Sequence, residues 1–317
     1  MQVTSIHITN QQSERFSFSG HETFPLRVAW LPKAVAAVSK GKDPFSNPRD
    51  GMRILGLGKN MVMSLECWGE YFDVVNRLKD GWQVSDFGKI IFGTNGKDPF
   101  LEDQRTLWLL HWKASTNTVR PFFAWHWLVN LFQEPEFVFS EALKAFHSES
   151  DAQQRSLSET TLKQHLDVFL RTYVASESTT GQLPEDMLDS PLASLGFIRK
   201  FGERRGEGGR DPLFSIDVRR KNSIPNGLFR FCLHDWWNRF VGDEQTVQFS
   251  DVAFNRCSPG RVLRMPEAEI RDRLVLLSQD NPKEFKVSEG SSQRMIQRLK
   301  PLSDLKTLLA DAYKRSA

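Results

Sequence analysis

The chain has 317 residues, with 42 Lys and Arg against 39 Asp and Glu, a formal net charge of +3. At 39% hydrophobic and 26% charged residues it sits near globular averages, which excludes wholesale disorder, and its length suits about two domains. Three dispersed cysteines, Cys67, Cys232 and Cys257, exclude a disulfide framework or a CxxC metal knuckle and fit a reducing cytoplasm.

Residues 1–15 are polar and lack the apolar core of a signal peptide. From Phe16 the chain starts extended and then turns helical, with Trp30, Ala34, Val35 and Val38 at helical spacing. A Pro- and Asn-rich turn, GKDPFSNPRDG, closes this segment. A glycine turn and a helix from about Lys59 follow, with Met61, Leu65, Trp68 and Phe72 on one face. VNRLKDGWQV then reads as a short hairpin. Helix, glycine turn, helix and hairpin form the order of a winged helix-turn-helix. The Lys59 helix is its natural recognition helix, presenting Lys59, Asn60, Met63, Ser64 and Cys67, with Arg53 beside it. A plain helical hairpin is the other reading.

Next come helices over DPFLEDQRTLWLLHW and PFFAWHWLVNLF. The apolar run Phe122–Phe132 is far short of the about 20 residues that cross a membrane, so it reads as a buried helix. FVFSEALKAFHSES and SLSETTLKQHLDVFLRTYVAS form a second helix pair, with Ser140 and Ser158 as helix-start residues. Residues 176–190 read as a linker. GFIRKFGERRGEGGRDPLFSIDVRR reads as two strands with a basic, glycine-rich tip. Helices follow, then KEFKVSEGSSQRMIQRLK as a strand and a helix, and LSDLKTLLADAYKRS as a closing amphipathic helix. The fold expected is mainly α with small β-hairpins, in tandem winged helix-turn-helix-like modules. Domains are expected over 16–175 and 191–317.

The modest net charge hides clustering. Residues 199–230 hold Arg199, Lys200, Arg204, Arg205, Arg210, Arg219, Arg220, Lys221 and Arg230 against Glu203, Glu207, Asp211 and Asp217, a surplus of five. Arginine suits bidentate phosphate contact, and a basic hairpin tip can lie along a duplex groove. A solvated loop is the alternative.

Standard catalytic motifs are missing. Gly56-Leu57-Gly58-Lys59-Asn60 is not a Walker loop, because Arg53 stands at the first glycine position and Asn60 follows the lysine. Asp217-Val218-Arg219 and Glu284-Phe285-Lys286 are only fragments of metal-nuclease patterns. Two acidic segments remain. His21 and Glu22 precede the first helix, and Asp98, Glu102 and Asp103 precede an aromatic helix. Carboxylates of this kind hold Mg²⁺ or cap helices. His111 and His126, among tryptophans, read as core histidines.

FSGHETFPLR (18–27), LGLGKNMV (55–62) and DPFLEDQRTLWLLHW (98–112) resemble the signature blocks of the SspB-type DNA nickase family of bacterial single-strand DNA phosphorothioation systems. The resemblance implies Mg²⁺-assisted, site-selective nicking of double-stranded DNA in an anti-phage defence system. It also implies a cysteine desulfurase, an ATP-pyrophosphatase-like enzyme and an ATPase as partners, with no membrane. No catalytic assignment carries over with it. On residue chemistry, His21 is the candidate base, Glu22, Glu102 and Asp103 the candidate Mg²⁺ ligands, and Lys59 the phosphate clamp. Arg53, Asn60, Ser64, Arg204, Arg205, Arg210, Arg219, Arg220 and Lys221 complete the expected DNA surface. The alternatives are a non-catalytic winged-helix recruiter of the modification complex and a protein–protein scaffold.

Overall fold

A computed structural model describes residues 15–175, 190–206, 209–289, 294–300 and 304–314. The chain is mainly helical. Its elements run α1 (Trp30–Ser39), α2 (Pro48–Leu55), α3 (Lys59–Tyr71), β1 (Val75–Leu78), β2 (Gly81–Val84), α4 (Asp86–Phe92), α5 (Gln104–Ser115) and α6 (Phe123–Trp125), the last continued by a π-helical turn, His126–Leu131. Then come β3 (Glu136–Val138), α7 (Phe139–Ala152), α8 (Glu159–Tyr173), β4 (Ile198–Gly206) and β5 (Gly209–Ile216). After these follow α9 (Asn226–Trp236), a second π-helical turn, Trp237–Val241, β6 (Thr246–Gln248), α10 (Phe249–Phe254), α11 (Pro259–Leu263), α12 (Glu267–Asp280), β7 (Phe285–Glu289), β8 (Arg294–Arg298) and α13 (Leu305–Ala312).

Two compact units result. One comprises residues 15–128 and 132–217, the other 129–131 with the chain from 218 onward. The expected linker, 176–190, lies outside the described residues except for Ser190. The basic hairpin β4–β5, grouped by sequence with the C-terminal half, joins the N-terminal unit because β5 pairs with β3.

Local chemistry explains the boundaries. Asn47 caps α2, with Pro48 at the first helical position. Gly56 ends α2 in the left-handed region, φ 66°, as a helix C-terminus favours. Ser85 caps α4 and Ser158 caps α8 through the amides of Gly88 and Thr161. Ser140 is not a cap: α7 starts at Phe139, and the Ser140 amide donates to Asp211 Oδ1 at 3.2 Å.

The hairpin β1–β2 forms as expected, paired from Val75↔Val84 to Leu78↔Gly81. The segment from Arg294, expected as a helix, is instead strand β8, because its residues pair with both β6 and β7. The two three-stranded sheets share one order: β3-β5-β4 in one unit and β6-β8-β7 in the other. Each follows a π-helical turn, and each first strand leads into a helix that opens Phe-Ser-acid: Phe139-Ser140-Glu141 and Phe249-Ser250-Asp251. The same plan thus occurs twice with diverged sequence.

The cores are aromatic. Trp30, Trp68, Trp108, Trp112 and Trp125 are fully buried in the N-terminal unit, Trp236 and Trp237 in the other. Trp68 stacks on Phe72 at 5.4 Å and meets Trp125 edge-on at 5.7 Å. No helix among the described residues is long and apolar enough to cross a membrane.

Candidate functional site

All three signature blocks lie in the N-terminal unit, and the first is tied down along its backbone. Ser64 Oγ on α3 donates to His21 O at 2.9 Å. Gln164 Nε2 on α8 donates to Glu22 O at 2.7 Å. Arg171 Nη1 donates to Thr23 O at 3.1 Å, and Trp68 Nε1 to Phe24 O at 3.0 Å. Four successive carbonyls are therefore claimed by side chains of α3 and α8. Glu22 itself sits at φ 51°, a conformation costly for a non-glycine residue and held here by these bonds.

His21 is only 1% exposed and lies edge to edge with fully buried His165, with ring centres 5.1 Å apart and planes 10° from parallel. The hydrogen bonds fix both tautomers. His21 Nδ1 lies 2.9 Å from the Glu22 carbonyl, which can only accept, so Nδ1 carries the proton. His165 Nε2 accepts from the Ala124 amide at 3.1 Å and is therefore bare. The remaining contact, His165 Nδ1 to His21 Nε2 at 2.8 Å, then has His165 as donor. A single directed chain runs from the Ala124 N–H through both rings to the Glu22 carbonyl. Burial drives the His21 pKa down to about 4, against smaller opposing effects of backbone hydrogen bonds. Burial and then the neighbouring His21 hold His165 well below its ordinary value. Both rings are neutral, and both His21 nitrogens are committed, which places His21 inside the core rather than in a solvent-facing pair with Glu22.

The DPFLED block folds as a cap. Buried Asp98 accepts from the amides of Glu102 and Asp103 at 2.9 and 3.0 Å. Asp103 caps α5 through the Arg105 amide at 2.9 Å and also grips the Arg105 guanidinium. Partial burial raises the Asp103 pKa, but the hydrogen bonds to Arg105 outweigh it and hold it below the usual range. Glu102 points to solvent. Among the described residues no group of three or more His, Cys, Asp or Glu comes together to hold a metal ion. Glu22, Glu102 and Asp103 therefore do not fit the Mg²⁺ ligand set expected of them.

The glycine turn presents a smaller surface than expected. Lys59, Asn60 and Met63 on α3 are exposed, and Arg53 is exposed beside Asp50, 3.2 Å away. Ser64 and Cys67 are buried. They lie on the face of α3 that packs against the GHETF segment, where the Ser64 hydroxyl serves the His21 carbonyl.

The basic stretch divides between the two units at residue 217. On β4–β5, Arg204, Arg205 and Arg210 are exposed. Arg204 lies 3.2 Å from Glu141 and Arg210 3.6 Å from Glu203. In the C-terminal unit Arg219 and Arg220 are exposed, and Arg220 pairs with Asp272. Lys221 is buried. Its Nζ donates to the Arg219 carbonyl at 2.6 Å and its amide to Glu269 at 3.0 Å, so it braces the backbone instead of presenting a charge. Arg230 is buried as well, against Glu284 at 2.6 Å and Asp311 at 3.0 Å.

His111 is a core histidine as expected, its Nδ1 2.8 Å from the Tyr173 hydroxyl. Sequence reading missed His165. The available signal was its place between Leu162, Leu166 and Phe169 on the apolar stripe of a helix, where a histidine needs polar partners.

A family described as "Protein of unknown function (DUF4007)" matches residues 18–313. An SspB crystal structure superposes with a TM-score of 0.76 at 23% identity, over 94% of this chain and 88% of that one. A magnesium-ion-bound SspB crystal structure does so with a TM-score of 0.73 at 23% identity, over 90% and 83%. A search of curated proteins found no match. The fold is thus that of SspB, and the chain belongs to the DUF4007 family.

Proposed function

We propose that this protein binds double-stranded DNA through winged-helix modules and nicks it for a phosphorothioation system, the role of the SspB-type family whose signature blocks it resembles. The observation that carries the reading is the SspB fold across 94% of the chain. Supporting it, each sheet, β3-β5-β4 and β6-β8-β7, is built from a strand, then helices (α7 and α8 in one unit, α10, α11 and α12 in the other), then a two-stranded hairpin, the element order of a winged helix. The β4–β5 hairpin carries exposed arginines suited to phosphate. The buried histidine chain holds the GHETF segment against α3 and α8, and so sets the base on which the exposed end of α3 stands. Mg²⁺, the desulfurase, the ATP-pyrophosphatase-like enzyme and the ATPase belong to the proposal through the resemblance.

The test is supercoiled plasmid with the purified chain. Conversion to open circle with Mg²⁺, stopped by EDTA, is the expected result. A second reading, a non-catalytic recruiter of the modification complex, is favoured by the dispersal of Glu22, Glu102 and Asp103. DNA binding without any open circle, with or without the partner proteins, selects that reading.

A further inference from the structure

In β4, Lys200 pairs with Phe214 and Gly202 with Leu213, so Phe201 stands between them without a cross-strand partner. A bulge of this kind re-aims a side chain. Phe201 is 50% exposed in a chain whose 24 phenylalanines mostly fill its cores. Cations flank it along the strand: Arg199 and Lys200 before it, Arg204 and Arg205 after it. Arg199 lies 3.7 Å from Asp217, Lys200 3.5 Å from Glu203 and Arg204 3.2 Å from Glu141. Ion pairs this exposed are weak, so an arriving phosphate can take over the cations. An aromatic ring on a strand that also carries such cations is the combination that binds a strand whose bases are unstacked, because every base offers a π-face while the cations follow its backbone.

We propose that Phe201 is a base-stacking residue: the β4–β5 hairpin holds the DNA backbone by its cations, and the bulged ring stacks on a base that has left the duplex. This rests on the DNA-binding reading above and deepens it. The preferred ligand becomes DNA with locally unpaired bases, as at a melted step.

The full-length chain is titrated against a short labelled duplex and the same duplex carrying a central mismatched bubble, by fluorescence anisotropy. The wild type binds the bubble tighter. Phe201→Ala weakens bubble binding about tenfold, within the range for loss of one stacked base, and leaves the intact duplex within about twofold. Phe201→Trp keeps the preference. A variant with Arg204, Arg205 and Arg210 changed to Ala weakens both. If the wild type binds both DNAs equally, or Phe201→Ala keeps the bubble preference, the stacking role is overturned while DNA binding stands. If neither DNA is bound, the DNA reading itself falls.

Discussion

His165 Nδ1 donates to His21 Nε2 across 2.8 Å between two nearly parallel, buried rings. The pair links α8 to the GHETF segment, and its direction is dictated by an amide at one end and a carbonyl at the other. Both rings therefore carry their proton on Nδ1. Nitrogen-15 NMR of labelled histidine should show two Nδ1–H tautomers that do not titrate down to about pH 5. A proton on Nε2 of either ring would break the chain as drawn.

The same burial makes folding pH-dependent. His21 titrates near 6.5 in an unfolded chain but at about 4 in the fold. Below 6.5 the unfolded state takes up a proton that the folded state refuses, so stability is complete above 6.5 and falls as the pH drops toward 4. The loss from His21 is on the order of 3 kcal/mol at the acid end. His234, also lowered to about 4 by burial, adds to it. Urea unfolding across this range should show the decline, and His21→Gln should make it shallower, with the His234 share remaining, whatever its effect at neutral pH.

Asp103 distinguishes a cap from a catalyst. As a cap it is replaceable by Asn, which also caps well, whereas Asp103→Ala costs about 1 kcal/mol. Asp103→Asn should leave both the unfolding midpoint and the plasmid-nicking rate near wild type. Nicking lost in Asp103→Asn with an unchanged midpoint would restore it as a catalytic carboxylate.

Changing Arg204, Arg205 and Arg210 together to Ala should flatten the slope of log K against log[salt] by about 2–3, near 0.9 per lost phosphate contact. Lys221→Met, at a buried brace, should leave that slope unchanged and show itself in stability. An unaltered slope in the triple variant takes the hairpin off the DNA.

Arg230 is 5% exposed and shared by Glu284 and Asp311. Arg230→Leu strands two carboxylates in a partly buried place, and should cost about 3–5 kcal/mol in chemical denaturation. Gly51→Ala is a second packing test. A Cβ there would lie 2.3 Å from the Pro44 carbonyl oxygen and 2.9 Å from Val62 Cγ1, and overpacking of this kind costs about 1–3 kcal/mol.

Much of the fold was legible because local chemistry specifies it. The Lys59 helix, the β1–β2 hairpin, the β4–β5 strands, the Ser158 cap and the closing helix follow from periodicity, glycine and capping residues, all short-range signals. The segment from Arg294 misled because its short apolar pattern suits a helix or a strand, and only pairing with β6 and β7 decides between them. A tandem plan was expected from the sequence, but which strands pair in each copy was not, because strand order is a long-range property that diverged sequence need not display.

The site divides the same way. Sequence by itself determined the composition of this protein's surfaces and cores: clustered arginines, an aromatic interior, and three unusual blocks specific enough to point to a family. Only the tertiary structure decided which of those residues meet. It turned Ser64 and Lys221 inward and paired His21 with a histidine 144 positions away. It left the carboxylates apart and swung Phe201 out at a bulge. The physical reason is that burial and hydrogen-bond partners come from elements distant in sequence, while net charge and periodicity are counted along the chain.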